Sequence, residues 1–167
     1  SQAVMEQLEA RYGLDQPLIV QYKNYMVNAL HGDFGVSLKT ERPIADIIGE
    51  SFPISAKLGL LAALVAIVVG IVLGSIAALM RNKWPDRIIV FLITLITSMP
   101  SFVIATLLLY FFCIKLGIVQ AFNSDSNMVV LPVLSLSLSP MAYITRLTKT
   151  SMLDALGQDY IRTAKAK

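Results

Sequence analysis

From Leu58 to Met80 the chain runs for 23 residues without a charged or amide side chain. Wound as an α-helix at 1.5 Å per residue, such a run reaches about 35 Å, enough to cross a hydrocarbon core of roughly 30 Å. In lipid a helix also satisfies its own backbone hydrogen bonds, so the run constrains the chain to an all-α, polytopic membrane protein. Composition agrees: apolar residues are 56% and charged residues 15%, against roughly 45 to 50% and 25% in soluble domains. Position and length exclude a secretory signal peptide. A second apolar stretch, Ile88 to Ile114, carries Pro100 near its middle and must tilt or kink to fit a bilayer. A third, Met128 to Ile144, is shorter and holds Pro132 and Pro140.

Charge placement orients the three predicted transmembrane helices. The connection Arg81 to Arg87 holds three basic residues in seven, whereas Lys115 to Asn127 holds one in thirteen. The positive-inside rule puts the first in the cytoplasm. The tail from Thr145 onward, with Arg146, Lys149, Arg162, Lys165 and Lys167, falls on the same side, as two further crossings require. The residues before Leu58 are then extracytoplasmic, and there seven acids outnumber five bases. The net charge of +3 reflects cytoplasmic loops beside anionic lipid and carries no nucleic-acid meaning.

The outer segment, residues 1–57, reads as short amphipathic helices and turns. Val4, Leu8 and Tyr12 recur at i+4. A second run opens with Asp15 and Pro17, continues through Leu18, Tyr22, Met26 and Leu30, and stops at Gly32. After a turn around Asp33, Phe34 and Gly35, a third short helix carries Ile44, Ile47 and Ile48 on one side and is expected to break at Pro53. Two readings stand open: helices lying on the membrane surface and packing on the spans, or a platform for an external solute-binding protein.

Within the spans two patterns recur. Ala62, Ala66, Gly70, Gly74 and Ala78 form a stripe of small residues every fourth position, a face that lets another helix approach closely. Its partner could be another span of this chain, the favoured reading, or a second subunit. In the second stretch Thr94, Thr97, Ser98, Ser101 and Ala105 fall on one face at i, i+3, i+4, i+7 and i+11. Hydroxyls in hydrocarbon need partners, so that face should border a translocation path or bond the carbonyls of its own helix around Pro100. Ser135 and Ser139 share a face of the third span and join the candidate path; its prolines also admit a discontinuous helix at a substrate site.

No Asp, Glu, Lys, Arg or His falls within the three stretches, which leaves no proton relay or ion-coupling site of the kind secondary transporters use. The sequence holds no G-x-x-x-x-G-K-[ST] phosphate loop. Cys113 and His31 are each alone of their kind, the first an apolar-behaving span residue and the second a helix-end group. With no nucleophile, base and oxyanion set, no catalysis is expected, and neither a cofactor nor a metal.

The end of the chain, Q-D-Y-I-R-T-A-K-A-K from Gln158 to Lys167, is short, polar and basic. It resembles the start of the coupling loop of ABC importer permeases, in the oligopeptide, dipeptide and nickel variant written R-T-A-[RK]-A-K-G. Arg162, Thr163, Ala164, Lys165, Ala166 and Lys167 match all but its closing Gly. The stretches L-D-Q-P-L, H-G-D-F-G-V-S, R-P-I and E-S-F-P-I-S-A-K-L are similar to the segment that follows the first membrane helix of these permeases. The resemblance implies a further span before Ser1 and two after Lys167, so that this chain would be the middle half or so of a permease. It also implies a second homologous permease subunit, two cytoplasmic ATP-binding subunits and an extracytoplasmic solute-binding protein in a prokaryotic inner membrane, with peptides as cargo and nickel or other solutes in reserve. The permease region is then residues 58–167, ending in a partial coupling loop over 150–167 with ATPase contacts from Asp159 and Tyr160 to Lys167. A competing class is a membrane sensor or assembly scaffold whose basic tail binds lipid or a partner. A lipid tail needs only charge, whereas a coupling helix needs an apolar side, here Leu153, Leu156, Tyr160 and Ala164.

The orientation is directly testable. A membrane-impermeant thiol reagent applied to intact cells should label a Cys placed at Ser124 and spare one at Asn82; the reverse pattern would sink the assignment.

Overall fold

The computed structural model describes residues 13, 16–121 and 128–161, all helices and connections apart from one isolated bridge between Val36 and Pro43. The chain divides into two compact units between Ile54 and Ser55. In the first, helix α1 spans Leu18–Leu30. Pro17 starts it, its carbonyl accepting from the N–H groups of Val20 and Gln21 at 2.8 and 3.2 Å. At the other end His31 Nδ1 donates to the Val27 carbonyl at 2.8 Å, and Gly32 turns the chain at φ +85°. Asp33 then accepts from the Gly35 N–H at 2.9 Å, closing the turn, with Gly35 itself at φ +80°. The run of Val4, Leu8 and Tyr12 lies outside the described residues.

Helix α2 is Ile44–Leu79, 36 residues with Pro53 inside it. The break expected at Pro53 does not occur. A proline removes one N–H and crowds the carbonyl four residues back, at a cost of about 3 kcal/mol. Here that residue is the exposed Gly49, and the rest of a long helical ladder outweighs a single lost bond.

In the second unit α2 is followed by α3, Trp84–Ser98, and α4, Ser101–Leu109, which runs on into a π-helical turn at Tyr110–Lys115. The stretch predicted as one kinked span over 88–114 is thus two helices bent by 104°. The residue before a proline is pushed toward extended backbone, and Met99 sits at φ −102°, ψ 137°, followed by Pro100 at ψ 139°. Two successive extended residues turn the chain where one would only kink it. The last helix, α5, is Val130–Leu156. It is continuous through Pro140 and outruns the expected 128–144, because no helix breaker stands between Pro140 and Gly157. Among the described residues two helices, α2 and α5, are long and apolar enough to cross a membrane, and three spans result if the bent pair counts as one.

The core is small. Ala77 of α2, Ile89 and Ile93 of α3 and Ala142 of α5 are buried together, with Leu73 and Ile96 packed on them. Leu60, Leu64, Val68 and Val72 of α2 remain exposed, a surface suited to lipid or to further helices.

Along α2, Ala62, Ala66, Gly70, Gly74 and Ala78 are all buried. The two glycines lie against α5: a Cβ on Gly70 would stand 2.8 Å from Ile144 Cγ2, and one on Gly74 2.6 Å from Thr148 Cβ and 2.7 Å from the Thr145 carbonyl oxygen. At Gly59 nothing lies within 4 Å. Gly74→Ala in the full-length protein should therefore cost about 1 to 3 kcal/mol by overpacking, whereas Gly59→Ala should be neutral or stabilising by roughly 0.5 to 1 kcal/mol. Denaturant unfolding in detergent measures both, and equal effects would mean that the seam tolerates a methyl group.

Candidate functional site

The hydroxyls of the second apolar stretch do not share one helix face. Thr94, Thr97 and Ser98 close α3 while Ser101 opens α4 beyond the bend, with Ala105 on that second helix. Thr94 Oγ1 donates to the Val90 carbonyl at 2.7 Å, Thr97 Oγ1 to Ile93 at 2.9 Å, and Ser98 Oγ to Thr94 at 2.8 Å. These bonds satisfy each donor within its own helix and leave oxygen lone pairs for other partners. All four side chains, Ser101 included, are exposed. On α5, Ser135 is half-buried and donates to the Pro132 carbonyl at 2.9 Å, while Ser139 is exposed. Ser137, 1% exposed, is the buried one of the three and donates to the Leu134 carbonyl at 2.9 Å. Inside the elbow between α3 and α4 lies an apolar cleft of about 330 Å³, bordered by Ile96, Met99, Ile104, Leu107, Phe111 and Leu116.

A charged contact that the sequence reading did not find joins the Arg81–Arg87 connection to α5. Asp86, in the first turn of α3, is 5% exposed. Its Oδ1 accepts from Lys149 Nζ at 2.5 Å, and its Oδ2 from the backbone N–H of Asn82 at 3.0 Å. Asn82 holds φ +65°, a left-handed conformation that Asn tolerates better than most residues. One carboxylate thus fastens the turn between α2 and α3 and ties it to a helix 63 residues away. An acid lodged among Arg81, Lys83 and Arg87 was the visible signal; its partner was not.

Beyond Lys149, α5 continues to Leu156 and ends at Gly157, whose N–H bonds the Leu153 carbonyl at 3.1 Å. Of the apolar side drawn through Leu153, Leu156, Tyr160 and Ala164, the first two belong to α5 and Tyr160 follows the turn at Gly157, while Ala164 lies outside the described residues. Asp159, Tyr160 and Ile161 are helical again, with Tyr160 64% exposed. Arg162, Thr163, Ala164, Lys165, Ala166 and Lys167 lie outside the described residues. Cys113 is a half-buried free thiol, and among the described residues no group of three or more His, Cys, Asp or Glu could hold a metal.

Comparison with known proteins bears on residues that these elements contribute. A family profile described as binding-protein-dependent transport system inner membrane component matches residues 70–167. The dipeptide transport system permease protein DppB of Bacillus subtilis (strain 168) is 44% identical over 169 aligned positions, covering 100% of this chain and 55% of that protein. The glutathione transport system permease protein GsiC of Escherichia coli (strain K12) is 38% identical over 165 positions, covering 98% of this chain and 54% of the relative. The chain spans about half the length of the curated relatives it matches. The matched region takes in the glycine seam, the elbow and α5, and the chain belongs to the binding-protein-dependent transport system inner membrane component family, as a multi-pass protein of the inner membrane.

Proposed function

We propose that the chain is part of the transmembrane permease subunit of an ATP-driven, binding-protein-dependent importer. The observation that carries this reading is the family match over residues 70–167, which runs through the seam and the elbow to the tail. The permease has no catalytic site of its own: ATP hydrolysis belongs to two cytoplasmic subunits, and cargo arrives from an extracytoplasmic solute-binding protein. A second, homologous permease subunit completes the membrane portion. The relatives' names speak of a dipeptide and of glutathione, and short peptides are the cargo that fits both.

Orientation follows from charge. The connection at Arg81–Arg87 and the tail are both basic, and both face the cytoplasm only if the bent pair α3–α4 makes one crossing; a re-entrant pair would carry the tail outside. On this reading residues 1–57 are extracytoplasmic, where a polar groove bordered by Gln21, Asn24, Asn28 and Asp33 offers amide and carboxylate groups to the binding protein. Thr94, Thr97, Ser98, Ser101, Ser135 and Ser139 border the cargo path. Cys at Thr94, Ser98 or Ser101 in the full-length complex should react with small polar thiol reagents to an extent that changes with nucleotide, while Cys at the buried Ile93 stays inert. Uniform inertness would leave these hydroxyls a structural role only.

Coupling is assigned to Asp159, Tyr160, Arg162, Thr163, Ala164, Lys165, Ala166 and Lys167, docking in a groove of an ATPase subunit with Tyr160 and Ala164 on the buried side. Ala164→Trp should overfill that contact at about 1 to 3 kcal/mol, weakening docking by roughly tenfold or more. Neutralising Lys165 and Lys167 should do less. Cargo-stimulated ATPase activity of the reconstituted full-length transporter, with assembly checked separately, provides the measurement. If Ala164→Trp is silent while the lysine changes abolish binding to anionic vesicles, the tail is a lipid anchor and the scaffold reading takes over.

A further inference from the structure

We infer that Asp86 and Lys149 are positioning residues for energy coupling: their ion pair latches α5, just ahead of the coupling segment, to the α2–α3 turn, so that a push on the tail is delivered to the glycine seam as one rigid body. The inference rests on the importer reading for its functional half and on geometry for its structural half.

Three contacts occur in succession along α5. Met141 and Ile144 face Gly70, Thr145 and Thr148 face Gly74, and Lys149 reaches Asp86. The first two are close packing, which resists approach but allows two helices to slide or part. The third is different in kind. The side chains of Asp86 and Lys149 are 8% and 21% exposed, so separating them would strand a charge in a poorly hydrated place, which is far costlier than breaking a surface pair. Asp86 is itself held at its second oxygen by the Asn82 N–H, so the latch grips the backbone of the turn as well as a side chain. Past Lys149 the helix has only two further turns before Gly157 releases the chain toward Asp159 and Tyr160. Force entering there meets the latch before it meets the rest of the bundle. A loose α5 end would absorb the displacement locally; a latched one passes it to α2 and, through α3, to the elbow.

The test uses the full-length transporter with Cys113 replaced by Ser and spin labels at Lys83→Cys and Ser151→Cys, both exposed positions. Lys149→Met should broaden the label-to-label distance distribution and lower the ratio of stimulated to basal ATPase activity by roughly fivefold or more, the lower range of ordinary coupling between sites. Lys149→Arg, which keeps charge and reach, should retain both. Because Lys149→Met leaves a buried carboxylate unpaired, Asp86→Asn with Lys149→Met is the second variant. Removing both charges spares stability, and this protein should fold and assemble yet still show the broadened distances and the low ratio. A double variant with normal stability, narrow distances and full stimulation would overturn the latch, as would broadened distances with an undiminished ratio, which would reduce the pair to a packing element. If the wild type shows no stimulation at all while the distance arm behaves as stated, the importer reading and the coupling role fall together and the latch survives as geometry alone.

Discussion

The close approach of α2 to α5 is the constraint on which the second unit depends. In lipid the helices gain nothing from excluding water, so their association depends on packing, and packing strengthens as backbones come closer. Gly70 and Gly74 permit that approach, with no room for even a methyl group at either position. The consequence reaches along both helices. Ala77 and Ala142, each 0% exposed, sit in the same seam, and Thr145, also 0% exposed, can be buried there because its hydroxyl returns to the Met141 carbonyl at 2.8 Å. Closeness also sets the reach of Lys149: only an α5 held near the end of α2 brings its ammonium to a carboxylate in the following turn.

Pro53, Pro140 and Pro100 had two outcomes, and their backbone context decides between them. Pro53 and Pro140 lie inside unbroken helices, where one missing hydrogen bond is a small loss. At Pro100 the preceding Met99 is extended and Pro100 is extended too, so the helix stops and a new one starts with Pro100 at its N-terminal boundary. The hydroxyls of Thr94, Thr97 and Ser98 return to carbonyls in the last turns before this stop, a use of Ser and Thr that loosens and bends helices.

The sequence made the membrane class legible because a 23-residue uncharged run has few alternatives, and the small-residue stripe because a period of four on a helix puts every member on one side. Helix ends were harder. Proline is ambiguous from sequence, which is why a break was expected at Pro53 and only a kink at Pro100. The hydroxyl face spanned Pro100, where a kink was expected and a bend of 104° instead divides it between two helices. The apolar side expected from Leu153 onward is interrupted before Tyr160 because α5 ends at Gly157. The Asp86–Lys149 pair was beyond reach for another reason: a contact across 63 residues depends on the helix packing that the two residues themselves help to fix.

On the importer reading, the same geometry narrows where a peptide can travel. Each residue of a peptide brings an N–H and a carbonyl, and burying these without partners costs on the order of 1 to 3 kcal/mol apiece. The cleft inside the elbow, walled by Leu95, Ile96, Leu107, Leu108 and Phe112, has nothing to offer such groups and suits an apolar side chain from lipid or from a neighbouring helix. A route for peptides must instead follow surfaces that keep polar atoms available. On that reading the exposed hydroxyls of Thr94, Thr97 and Ser98 would meet half of the requirement: they donate to their own backbone and present acceptor lone pairs for a peptide's N–H groups, which leaves the peptide's carbonyls to donors elsewhere. Under the proposed function, such acceptors would hold a passing peptide weakly whatever its sequence, because they address its backbone and not its side chains.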